Sequence, residues 1–214
     1  MAADQSAWQR VVVMRHGQSI NVQRWLDRRD GQKVDMVAES QDHVTEAGQA
    51  QVQQAAHALI KILNRPPNNG RYKLAIFTSP STRCQDTANI VSKIMQVSGW
   101  IQVSFNVTDG LRELKPRDYV ASDTTVSDPI AAWNQTVFSP DIDPNTVRLI
   151  VTHGNILKTA LASQWAWPPH LSLAPAVASL TVMDYNAAGQ TVLHNLCDSS
   201  ALNVRQWFNE DLFQ

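Results

Sequence analysis

A chain of 214 residues that is 43% hydrophobic and 17% charged has the apolar content to bury a core, which excludes a disordered or fibrous protein. Its length favours a single domain over residues 1–214. A net charge of −1 and a pI near 6.6 give no positive field for nucleic acid or an acidic membrane, so neither is expected as a partner. The opening MAADQSAWQR has no apolar signal core, and no later run has the length of a bilayer span. Cys84 and Cys197 are too few for a disulfide framework and lack metal-ligand spacing. These features together predict a cytoplasmic protein, and they leave its oligomeric state open.

Along the chain, β-branched and apolar runs at 11–14, 74–77, 101–105, 148–151, 178–185 and 191–193 predict strands. Residues 45–63 place Val52, Ala56, Leu59, Ile60 and Leu63 on one helical face, and 83–97 does the same with Thr87, Ile90, Val91 and Ile94. An apolar, helix-like segment follows His153. Strand, helix, strand in alternation predicts a three-layer α/β sandwich with a mostly parallel central sheet. The last two runs are joined by NAAG, which reads as a hairpin and adds an antiparallel edge. Turn residues at 64–70, 140–144 and 167–169 predict loops. The mixed-charge run from Arg24 to Asp30 predicts a solvated loop close to the site, placed to serve as a flap. His43, His57, His170 and His194 have no motif context and are read as structural or surface residues. The tryptophans are read as packing.

Three strand ends carry groups suited to an anion. The first strand runs into Arg15-His16-Gly17, the fourth into Thr152-His153-Gly154-Asn155, and the second into SPSTRC with Arg83 in the first turn of a helix. Open α/β sheets bind ligands at these carboxyl ends. A guanidinium beside helical N–H groups is a phosphate site.

The run VVVMRHGQSIN resembles the Arg-His-Gly signature of the histidine phosphatase superfamily. HVTEAGQAQ, SPSTRCQDTA, GLREL and VTHGN follow in that family's order, from Val11 to about Leu161. Gln18-Ser19-Ile20 and His153-Gly154-Asn155 fit the phosphoglycerate mutase-like branch and not the acid phosphatase and phytase branch. SPSTRCQDTANI and GLREL are also similar to the phosphatase domains of ubiquitin-associated, SH3-containing T-cell signalling regulators. Those have a second early arginine where this chain has Ser19.

The resemblance implies a phosphomonoester hydrolase with a phosphohistidine intermediate on His16. Arg15, Arg83 and His153 would clamp the phosphate, Glu113 would alternate as acid and base, and Asn21 and Asn155 would contribute to substrate binding. The substrate would be a phosphorylated small molecule or a phosphoprotein. No cofactor is expected. No metal is expected either, because no His/Asp/Glu cluster with ligand spacing is visible beside these residues. Two alternatives remain. A cofactor-dependent phosphoglycerate mutase would need further cations, yet residues 118–147 contain no Lys or Arg and five Asp, leaving Lys115 and Arg117. A phospho-ligand scaffold without turnover would need neither the nucleophile nor the acid.

Overall fold

The computed structural model describes residues 8–28, 32–63, 73–113, 129–139, 143, 145–165 and 175–199. Its strands are β1 (Trp8–Arg15), β2 (Lys73–Thr78), β3 (Ile101–Val107), β4 (Thr146–Thr152), β5 (Leu180–Asn186) and β6 (Thr191–Asp198). They form one sheet in the order β3-β2-β4-β1-β5-β6. β3, β2, β4 and β1 run parallel, while β5 is antiparallel to β1 and β6 to β5. Each predicted strand is therefore present, and the antiparallel edge is two strands wide. In the NAAG turn Asn186 Oδ1 accepts the N–H groups of Ala188 and Gln190 at 3.1 and 3.0 Å, and Gly189 takes φ +78°, the conformation that such a turn asks of glycine.

Helices lie on both faces: α1 (Ile20–Leu26), α2 (Glu46–Leu63), α3 (Thr82–Val97), α4 (Pro129–Val137) and α5 (Gly154–Gln164). The continuous VVVM run of β1 is buried because alternate side chains enter different layers. Val12 and Met14 pack with α2 and α3, whereas Val11 and Val13 pack with α4 and α5. The core of the first layer takes Val52, Ala55, Ala56, Leu59 and Leu63 from α2 and Cys84, Ala88, Val91 and Met95 from α3. Each fully buried aliphatic side chain of this set stabilises by about 1.5–3 kcal/mol relative to exposure.

Two glycines let the first turn of α2 lie against the chain leaving β1. A Cβ on Gly48 would meet Gln18 O at 2.1 Å, and one on Gly17 would meet Val52 Cγ2 at 2.6 Å and Gly48 O at 2.9 Å. Larger residues at either place would force apart the segment that carries His16.

The structure departs from the sequence expectations at three places. The predicted loop at Arg24 begins inside α1, whose last turn contains Arg24 and whose C-cap is Asp27. Arg24 donates to Asp35 O at 2.7 Å, and the Arg28 guanidinium lies 4.5 Å from the Trp25 ring. Charge hid a helix whose residues Val22 and Trp25 are partly buried. α4 was also missed; Trp133 and Val137 bury it, and the fully buried Arg148 of β4 donates to the carbonyls of Val137 and Ser139 at its end. The fifth strand starts at Leu180 and not at Ala178, because Ala178 has φ +56° and turns its N–H onto His16 O at 3.1 Å. The turn at 64–70, most of that at 140–144, the turn at 167–169, Lys115, Arg117, His170 and residues 118–128 lie outside the described residues. Among the described residues no helix is long and apolar enough to cross a membrane.

Candidate active site

Parallel register brings three carboxyl strand ends to one rim. Arg15 of β1 is level with Thr152 of β4, and Thr78 of β2 with Val151. The pairing continues one residue beyond the strands, with His16 N–H on Thr152 O at 2.9 Å and Ser79 N–H on Val151 O at 3.0 Å. His16 and Ser79 thereby flank His153.

The His16 ring is buried, with Nδ1 2.8 Å from Gly17 O. A carbonyl only accepts, so Nδ1 carries the proton and Nε2 keeps its lone pair. That lone pair faces Arg83, whose Nε–H lies 3.2 Å away. Burial, reinforced by the charges of Arg83 and Arg15, holds the imidazole well below its ordinary pKa, against a smaller upward pull from the Gly17 carbonyl. The ring is therefore neutral across the neutral range.

Arg83 stands at the start of α3 and its guanidinium is directed three ways. Nη1 donates to Asp42 Oδ2 at 2.9 Å, Nε points to His16, and Nη2 lies 3.1 Å from His153 Nδ1. The His153 ring meets the His16 ring edge-on, with centroids 5.3 Å apart. Its Nε2 lies 2.8 Å from Ser79 Oγ and 3.3 Å from Ser81 Oγ. A guanidinium N–H only donates, so beside Arg83 Nη2 the Nδ1 atom accepts and the proton sits on Nε2, toward the serine hydroxyls. Because a hydroxyl can donate or accept, the ring can take the other tautomer and offer an Nδ1 proton once an anion engages Arg83. Burial first, then the Arg83 charge, keep this ring neutral as well.

Glu113 follows the 3-10 turn Asp109–Leu111, which Thr152 holds by donating its hydroxyl to Leu111 O at 2.8 Å. One carboxyl oxygen accepts the Asn155 N–H at 3.1 Å and the other lies 3.3 Å from His153 Nδ1. Burial pushes this carboxyl above the usual range, and the Arg15 and Arg83 charges with the Asn155 N–H offset only part of the rise. A carboxyl with a raised pKa that borders solvent is suited to give a proton to a leaving group. Arg15 is anchored through Nη1 on Pro175 O, and its buried Nε has no acceptor among the described residues. The arrangement leaves that N–H for an anion.

His16, Arg15, Arg83, His153 and Glu113 are thus brought together from β1, α3, β4 and the turn before Glu113. Asn155 joins them through its backbone. Asn21 does not present its amide to this cluster in the same way; its Nδ2 donates to Val37 O at 3.1 Å and its Oδ1 accepts Val37 N–H at 2.8 Å. The histidines read as surface residues behave so where described: His57 is exposed, and exposed His43 and His194 pair with Asp86 and Asp184.

Sequence reasoning missed Asp42, Ser79 and Ser81 as neighbours of the site. Asp42 meets Arg83 across 41 positions, so no local spacing could signal the pair. The two serines stood in the SPSTRC run, where serine is also ordinary turn and cap chemistry. Cys84 lies 3.5 Å from His153 Nε2, but burial pushes its thiol up to about 12, which removes it as a thiolate nucleophile.

The expected lack of a ligand cluster is corrected by the fold. His16, Glu113 and His153 each offer one ligand atom, all within 4.8 Å of one another. Separations of 97 and 40 residues concealed the set. The same space is bordered by two guanidinium groups, whose charge opposes a divalent cation.

The profile of the Histidine phosphatase superfamily (branch 1) matches residues 11–146, more than half of the chain. It takes in Arg15, His16, Arg83 and Glu113 and ends before His153. Among solved structures the chain is similar to phosphoglycerate mutase from Bacillus anthracis str. Sterne, at 18% identity and TM-score 0.62, covering 92% of this chain and 96% of that one. It is also similar to phosphoglycerate mutase from Plasmodium falciparum, at 19% identity and TM-score 0.52, with 89% and 91% covered. A third is the protein histidine phosphatase SixA complexed with tungstate, at 16% identity and TM-score 0.51, with 87% and 94% covered. At these identities the likenesses carry the fold alone. No curated protein matches the chain.

Proposed function

Because the chain belongs to the histidine phosphatase superfamily, branch 1, we propose that it hydrolyses phosphomonoesters through a phosphoryl group carried on His16 Nε2. The observation that carries this reading is the 2.8 Å contact of His16 Nδ1 with Gly17 O, which commits the other nitrogen to the space shared by Arg83, His153 and Glu113. In the first step the Nε2 lone pair forms a bond to phosphorus as the ester P–O bond breaks, and Glu113 gives its proton to the departing oxygen. In the second, Glu113 takes a proton from water, the new P–O bond forms, the N–P bond breaks and its electron pair returns to Nε2. Arg15 and Arg83 balance the charge on the equatorial oxygens, with His153 Nδ1–H as a further donor. Asn155 supports Glu113 through its N–H and stays a candidate substrate contact. Asn21 would reach substrate only by exchanging its bonds to Val37.

The substrate class is a phosphorylated small molecule or a phosphoprotein, met in the cytoplasm. Hydrolysis is favoured over mutase transfer because residues 118–147 supply five Asp and no Lys or Arg for a second phosphate and a carboxylate. Brief mixing with labelled 4-nitrophenyl phosphate and an alkaline quench should trap an acid-labile phosphohistidine that discharges to inorganic phosphate. Transfer to phosphoglycerate outpacing release of phosphate would reverse the choice. The reading is metal-independent, with the arginines as the electrophile: turnover should withstand excess EDTA, and loss restored by a divalent ion would instead make His16, Glu113 and His153 its ligands.

A further inference from the structure

Asp42 is almost completely buried. It touches neither His16 nor His153 by any hydrogen bond, yet its carboxylate has two firm partners. Oδ2 accepts Arg83 Nη1–H at 2.9 Å, and Oδ1 accepts the backbone N–H of Asn21 at 2.8 Å. Asn21 is itself tied to Val37 by the two bonds of its amide. The carboxylate is therefore held from one side by the backbone that opens α1, and from the other it holds the arginine.

A guanidinium is planar, so fixing one nitrogen fixes the directions of the other two. With Nη1 on Asp42, Nε is aimed at His16 Nε2 and Nη2 at His153 Nδ1, at 3.2 and 3.1 Å. We propose that Asp42 is the positioning residue for Arg83, setting the guanidinium plane so that Nε and Nη2 straddle the phosphoryl group between the two histidines. The inference deepens the hydrolase reading and rests on it for its kinetic consequence. An arginine side chain without this anchor regains several rotamers. A misplacement of about 1 Å is enough to lower a rate by about 100-fold.

The test is a double-mutant cycle of Asp42→Asn and Arg83→Gln. It is read in kcat/KM for 4-nitrophenyl phosphate and in the dissociation constant of orthovanadate by calorimetry. Thermal melting of each variant accompanies it. Asp42→Asn keeps an oxygen for the Asn21 N–H and removes the charge facing Arg83. Alone it should lower kcat/KM by about 10- to 100-fold, and in the Arg83→Gln background it should add less than about 3-fold. Asp42→Glu, which keeps the charge and moves it, is the second variant should Asp42→Asn fold poorly, and the same loss of additivity is expected. A single-variant effect within about 2-fold, or losses that multiply fully in the cycle, would overturn the positioning role. Orthovanadate binding separates this failure from that of the hydrolase reading. If the unaltered protein turns nothing over, a non-additive cycle in vanadate affinity still supports the role of Asp42, and an additive one still overturns it.

Discussion

The chain presents the dipeptide His-Gly at the ends of two parallel strands, β1 and β4, and the surroundings give the two histidines different chemistry. At the β1 end, Nδ1 of His16 faces the carbonyl of the next residue, Gly17. That partner cannot change its polarity, so Nε2 is the bare nitrogen whenever the ring is neutral. At the β4 end, Nε2 of His153 faces the hydroxyls of Ser79 and Ser81, either of which can rotate between donor and acceptor. The first ring is fixed with one bare nitrogen toward the site, as the proposed nucleophile requires; the second can exchange tautomers, because its Nε2 partners can change polarity. The pair of glycines differs in the same way. Gly17 is pressed between Val52 and Gly48 and serves packing, whereas a Cβ on Gly154 would lie 3.3 Å from the Arg15 guanidinium carbon and bear on the site.

The strongest way to break the comparison is to remove each ring. His16→Ala should trap no phosphoenzyme and lose turnover by about 10,000-fold or more, while His153→Ala should still load from 4-nitrophenyl phosphate, slowed about 100- to 1,000-fold. Equal loss of the trapped species in both would deny them separate roles.

Glu113, beside the β4 end, should govern the alkaline limb of the pH profile. His16, with its lowered pKa, loses its proton and becomes active at acid pH, and Glu113, with its raised pKa, must stay protonated to act as an acid. The value of kcat/KM for an alkyl phosphate should thus rise through the His16 pKa and fall as pH passes that of Glu113. Glu113→Gln should remove the alkaline limb and about 100-fold of the rate for alkyl esters, and much less of the loading by a nitrophenyl ester. An unchanged profile in the variant would assign the limb to another group.

The glycines should separate stability from catalysis. Gly17→Ala, with its Cβ 2.6 Å from Val52 Cγ2, should cost about 1–3 kcal/mol as overpacking, seen as a fall of several degrees in Tm. Gly154→Ala should leave Tm within about 2 °C and raise KM about 2- to 5-fold through Arg15. A larger drop in Tm for Gly154→Ala than for Gly17→Ala would reverse the assignment. Ser79→Ala combined with Ser81→Ala should cost about 10-fold in kcat/KM, the scale of one lost hydrogen bond to the His153 ring. A larger loss accompanied by failure to load His16 would mean that the hydroxyls act on the β1 end as well.

Much of this was legible before the fold was known. The VVVM run of β1 had to be a strand covered on both faces, the apolar spacing of α2 and α3 made them helices packed on it, and NAAG made a hairpin. The misjudged elements were those whose apolar residues find partners far away. α1 carries Arg24 and is followed by Asp27 and Arg28, so the segment reads as a charged loop, and α4 is held by Arg148 from β4. Ala178 entered the fifth run as an ordinary apolar residue, and the bond from its N–H to His16 O accompanies its left-handed conformation.

The same division holds for the candidate site. The sequence alone offered His16, His153, Arg15 and Arg83 as candidates, because each stands at or just after a strand end, and the resemblance of GLREL to the family's acid motif added Glu113. It did not contain which nitrogen of each ring faces the pocket, that Asp42 grips Arg83, or that His16, Glu113 and His153 lie within 4.8 Å of one another. Such contacts join residues tens of positions apart, and they come into being only when the parallel register aligns β1, β2 and β4. Hydrogen bonding and desolvation then act across the assembled space, where no sequence spacing measures them.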